Sequence, residues 1–161
     1  MRREPWFAVG LLLSAVAEIQ WAATFYAQDD LLHAILLFIA AAGLFLAAAG
    51  VYFQQASWTW MWGLALAALA HAAYFATTLD FGPLLIAAAL AAAAGLGVAA
   101  WGSRPPGNLN LVRGGLFGAA LGGILWLVAD ALSGDMSFMV GNVFAMFGWG
   151  IAAAFVPEKI A

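Results

Sequence analysis

The chain reads as an all-α integral membrane protein. It is a single domain over residues 1–161, with six transmembrane helices in a compact bundle and both termini cytoplasmic. Three observations predict this. Hydrophobic residues make up 66% of the chain and charged residues 8%, where soluble domains carry roughly a quarter charged. The apolar residues fall into six runs, each close to the roughly 20 residues a helix needs to cross hydrocarbon. Every basic residue falls on one side of the alternation that six runs impose.

The first run, Trp6–Tyr26, follows Arg2 and Arg3. A basic start before an apolar stretch resembles a secretory leader, but this stretch continues through Trp21 to Tyr26, past the length of a typical leader core. A first spanning helix anchored by the two arginines is expected. The second run, Leu31–Phe53, begins after AQDD, and the third, Trp58–Leu79, after QQAS. The fourth, Pro83–Trp101, follows DFG, and the sixth, Met136–Val156, follows SGD. Breaks this short make consecutive helices antiparallel neighbours. Only GSRPPGNLNLVR, before the fifth run at Gly114–Leu132, reads as a real loop, because Pro105-Pro106-Gly107 cannot continue a helix.

The charges orient the bundle. Arg2, Arg3, Arg104, Arg113 and Lys159 share one side, and Asp29, Asp30, Asp80, Asp130 and Asp135 share the other. Basic residues stay in the cytoplasm, which predicts a multi-pass protein of a cell (inner) membrane with its termini and long loop inside. The tryptophans read as headgroup anchors, Trp6, Trp58, Trp60, Trp62, Trp101 and Trp149 toward the inner interface and Trp21 and Trp126 toward the outer one.

Several chemistries are excluded or disfavoured. The absence of cysteine removes disulfides, thiolate chemistry and iron–sulfur clusters. No basic tract exists for nucleic acid. Retinal attachment needs an intramembrane lysine, and the single lysine is Lys159. No phosphate-binding loop and no HExxH is present. Bis-histidine haem ligation or a Glu18/His33/His71 metal site suffers from a depth difference of about 9 Å between the histidines. No cofactor is expected, and catalysis is not the favoured role.

Close packing is expected where small residues line a helix face, since lipid gives helices no hydrophobic drive to associate. Gly114, Gly118 and Gly122 recur every four residues in the fifth run. That face fits another helix of the same chain, a second copy in a homo-oligomer, or a larger membrane complex. The two halves of the chain, compared as three helices against three, show no visible repeat.

The polar residues inside the runs carry the functional reading. Glu18 lies about 12 Å inside the outer end of the first helix, where an ionised carboxylate costs a few kcal/mol. It must be protonated, paired, or beside water. No lysine or arginine lies inside a span, so the candidate partner is His71, which matches it in depth within about one turn. Gln20 shares the helix on another face, and Ser14 is placed to bond its own backbone. His33 stands about one turn inside the outer surface, where it can reach headgroups, cap local polar groups or line an outer vestibule, and Asn142, at similar depth, is placed to bond a neighbouring helix or to line the path. The polar centre is therefore expected among Glu18, His71, His33, Asn142 and Gln20. Two functions follow. One is a small channel or transporter for a proton, an ion or a small polar solute, built on a Glu–His centre. The other is a non-catalytic subunit or scaffold held in a larger complex through its glycine faces.

Overall fold

The computed structural model describes residues 3–53, 57–134 and 136–158. Arg2, Gln54–Ala56, Asp135 and Lys159 lie outside them. The described residues form six helices and no strand: α1 Glu4–Ala27, α2 Leu31–Tyr52, α3 Ser57–Thr77, α4 Pro83–Gly102, α5 Leu109–Ser133 and α6 Met139–Ala154. Four of them, α1, α2, α4 and α5, are long and apolar enough to cross a membrane. α6 is shorter, at 16 residues.

Local chemistry sets the ends. Pro5 and Pro83 start α1 and α4, where a missing backbone N–H costs nothing. Asp30 caps α2 by accepting from the backbone N–H of His33, and Asp29 takes a positive φ of 61° in the tight turn before it. Asn108 caps α5 through the backbone N–H groups of Asn110 and Leu111. That cap starts α5 at Leu109, one turn and more before the apolar run begins at Gly114, so Asn110 and Arg113 belong to the helix rather than to the loop. Gly134, with φ of 74°, ends α5.

The helices form a closed ring. Each packs on its sequence neighbours, α6 closes against α1, and no other helix pair makes backbone contact among the described residues. Asp29, Asp30, Asp80 and Asp130 gather at one end of the ring, and Arg3, Arg104 and Arg113 at the other. The ring thus has an acidic end and a basic end.

The tight contacts expose a threefold repeat. Gly10, Gly63 and Gly115, in α1, α3 and α5, occupy equivalent places. A Cβ at any of them would come within 3.0 Å of two backbone atoms of the preceding helix in the ring: the carbonyl oxygen of Gly148, Gly43 or Gly95, and the nitrogen of Ala152, Ala47 or Ala99. The reciprocal glycines Gly43, Gly95 and Gly148 are blocked in the same way. The unit is thus a two-helix hairpin of roughly fifty residues used three times. The sequence carries it as Gly-Leu at 10–11, 63–64 and 115–116, and as an Ala-x-x-Gly start at 40, 92 and 145. A comparison of halves passes over it because the period is a third of the chain.

The fifth-run glycines divide accordingly. A Cβ at Gly122 would strike the Ala88 carbonyl at 2.8 Å, and one at Gly118 would only touch Gly95 at 3.4 Å. Gly114 is exposed with nothing within 4 Å. The α4–α5 contact therefore follows Gly115, Gly118 and Gly122, not the Gly114/Gly118/Gly122 line. A row of every fourth residue drifts by about 40° a step around a helix of 3.6 residues per turn, whereas alternating three- and four-residue steps keep to one face.

Candidate functional site: a Glu–His pair on the ring axis

Helices α1, α3 and α5 run parallel, so repeat-equivalent residues stand at the same height around the axis. From the basic end the interior layers are Phe7/Trp60/Val112, then Leu11/Leu64/Leu116, all buried. Next comes Glu18/His71/Gly123, and above it Trp21/Tyr74/Trp126. Two ionisable side chains and a bare backbone thus share one layer.

Glu18 and His71 meet there. Glu18 Oε1 lies 3.2 Å from His71 Nε2, and both side chains are fully buried. α1 and α3 make no backbone contact, so the two side chains reach each other across the ring interior. The approach is off-line for a hydrogen bond, and Glu18 Oε1, Glu18 Oε2 and His71 Nε2 have no hydrogen-bond partner. His71 Nδ1 lies 2.9 Å from the Ala67 carbonyl oxygen. A carbonyl only accepts, so Nδ1 carries the hydrogen and the tautomer is set. One further proton remains for the pair to share, on the carboxyl or on Nε2. With it the pair is neutral overall, which is the state hydrocarbon burial favours.

Aromatic rings enclose the pair. His71 lies 6.2 Å from the Trp126 ring and 5.9 Å from Trp149. Trp21 sits edge-on to Trp126 at 4.8 Å. The Trp149 indole nitrogen is also buried without a partner. Trp21, Trp60, Trp126 and Trp149 are thus interior residues, not headgroup anchors, while Trp6, Trp58, Trp62 and Trp101 stay on the outer surface. Bulk hydropathy does not separate the two sets. The repeat does, because Trp21, Tyr74 and Trp126 fall on equivalent, inward-facing positions.

Above the Trp21/Tyr74/Trp126 layer a cavity of ≈ 300 Å³ opens toward the acidic end. Asn142 and Asp130 lie in its wall, the Asn142 amide donating to the Asp130 carboxylate. Asp130 reads in the sequence as a helix-ending acid, but it is largely buried, and only its depth on α5 relative to Trp126 hints at that.

The other expected polar residues lie off the axis. His33 does not line the cavity. Its Nδ1 is 2.5 Å from Asp30 Oδ2 and its Nε2 is 2.9 Å from Thr77 Oγ1, tying the start of α2 to the end of α3 behind the wall residues Phe25, Tyr74 and Phe81. Around Asp30, partial burial pushes the carboxyl pKa up. The His33 side-chain and backbone hydrogen bonds and the His33 charge together outweigh this, so the pKa is lowered from the ordinary value of 3.8. Gln20 leaves the polar centre too. Its amide nitrogen donates to Thr24 Oγ1 at 3.0 Å and to the Ser137 carbonyl at 2.9 Å, at the α1–α6 seam. The Ser14 hydroxyl donates to the Gly10 carbonyl at 3.1 Å.

Comparisons with protein-family models, curated proteins and solved structures gave no match to this chain.

Proposed function

We propose that the chain is a six-span membrane protein that carries a proton or a small polar solute along the ring axis, with Glu18 and His71 as its polar centre. The observation that carries this reading is the fully buried Glu18–His71 approach at 3.2 Å, separated from an open cavity by the single layer Trp21/Tyr74/Trp126 and unsatisfied by hydrogen bonds. A pair needed only for helix register gains most from complete satisfaction. One with spare donors and acceptors is suited to a guest or to a moving proton.

Other features support the membrane setting. Large apolar side chains such as Leu32, Phe38, Leu69 and Phe117 stand on the outside of the ring, where lipid would cover them. With the basic end in the cytoplasm, the cavity opens outward. The Leu11/Leu64/Leu116 layer then closes the inner half, so passage needs those leucines to move. Of the glycines expected to hold a scaffold to its neighbours, Gly118 and Gly122 meet α4 of the same chain and Gly114 has open space around it, so most of that face is used within the chain, which favours the path over the scaffold.

Purified protein in liposomes with a pH-sensitive dye inside tests the proposal. Protein-dependent collapse of an imposed pH gradient, or uptake of a small solute that depends on pH, is expected. Glu18→Gln keeps the shape and removes the titrating group, and should slow it by roughly two orders of magnitude. Equal rates in the two proteins would refute the assignment.

A further inference from the structure

The cavity at the acidic end has a chemistry more specific than its position. Its walls carry six aromatic rings, Trp21, Phe25, Tyr74, Phe81, Trp126 and Phe138. Among its lining residues there is one carboxylate, Asp130, and no lysine, arginine or histidine. The rings come from α1, α3, α5 and both neighbouring turns, so they surround the space rather than stack on one side. A water takes about 30 Å³ of liquid, so ≈ 300 Å³ holds a solute of several heavy atoms.

We infer that this vestibule binds a small organic monocation of the alkylammonium class, caged by Trp21, Tyr74 and Trp126 with Asp130 as counter-ion. The inference takes the vestibule as the mouth of the axial path proposed above and names the solute class it admits. Ring faces attract a cation through their quadrupoles, most strongly where water is displaced. The Asp130 carboxylate, already held by the Asn142 amide, keeps its negative charge uncancelled by such a neutral donor, and a cation beside it is attracted. A bare metal ion is a poorer fit, because hard cations want about six oxygen ligands and the walls are mostly carbon. A neutral solute of the same shape uses the rings but leaves the carboxylate uncompensated by the guest.

Full-length protein in detergent, titrated with choline chloride and separately with 3,3-dimethylbutan-1-ol, its neutral isostere, tests the inference by calorimetry. Choline should bind about tenfold more tightly than the alcohol. Asp130→Asn should erase the difference. Should that variant not fold, Phe81→Leu, at the exposed rim, should weaken choline severalfold. No choline binding, equal binding of the two probes, or unchanged choline affinity in whichever variant folds overturns the inference. The liposome assay keeps the two proposals apart. Choline binding without any flux leaves this site standing and removes the path, whereas flux without choline binding removes the site and leaves the path.

Discussion

The two ends of the ring interior are built on the same three positions per layer and have opposite character. Toward the basic end, equivalent places hold Leu11, Leu64 and Leu116, then Phe7, Trp60 and Val112, and all are buried. Toward the acidic end they hold Glu18, His71 and Gly123, then two tryptophans and a tyrosine beneath an open cavity. The threefold frame is kept in both halves. Apolar character is kept through both layers of the sealed half and is broken in the polar half at Glu18, His71 and Gly123. Three like leucines fill an axis well, because apolar contact needs no pairing. Three glutamates would not, because like charges cannot share a dry layer. The difference shows where the repeat is scaffold and where it has been given over to chemistry.

The largest expected effect breaks the frame itself. Gly63→Val places carbon within 3.0 Å of the α2 backbone, where no flexible side chain can yield, so the cost should exceed the about 1–3 kcal/mol of ordinary core overpacking and block assembly of the ring. Loss of monodisperse protein on size-exclusion chromatography is expected, while Gly114→Val, in open space, should leave yield and melting temperature unchanged.

The next prediction tests the polar layer. His71→Leu leaves a protonated Glu18 carboxyl without its polar neighbour and should cost about 1–3 kcal/mol. The double change Glu18→Leu with His71→Leu removes both groups and should regain most of that stability. Denaturation in detergent that finds the double variant no better than the single one would mean that the pair is not coupled.

In the sealed half, Leu64→Ala should cost about 2–5 kcal/mol by leaving a void. If that layer is the barrier, the variant should also raise proton leak in liposomes. An unchanged leak with lowered stability would locate the barrier elsewhere.

The smallest effect lies at the rim. The Asp30 carboxyl is lowered from 3.8 by its contacts with His33, so it stabilises the fold fully above that value. The contribution is lost as pH falls from about 4 through the lowered folded value. Asp30→Asn should flatten this part of a melting-temperature profile against pH and leave the profile near neutrality with only a small offset.

Much of this was legible in the sequence, for identifiable reasons. The six helices follow from apolar runs cut by residues that cannot continue them. The Glu18–His71 pairing followed from scarcity, since a chain with few intramembrane polar groups offers few partners at matching depth. The interior tryptophans were not legible from hydropathy, because an indole suits both a headgroup layer and a packed core. Gln20 turns to the α1–α6 seam, and His33 bonds local polar groups rather than lining the vestibule, for a related reason. Depth along a helix is readable by counting, but the face a polar group turns to depends on which neighbours the ring supplies. The repeat was present as Gly10, Gly63 and Gly115, but small residues are common in apolar helices, and only the backbone contacts separate packing glycines from Gly114.

As the polar centre proposed above, Glu18–His71 communicates with the acidic end and is closed from the basic end. The chain has no cysteine, so single cysteines report cleanly. In oriented vesicles, a membrane-impermeant thiol reagent should modify Asn142→Cys from the acidic side alone and leave Leu64→Cys unmodified from either side. Labelling of Leu64→Cys from the basic side, or none of Asn142→Cys from the acidic side, would rule out a path open at the acidic end and sealed at the basic one.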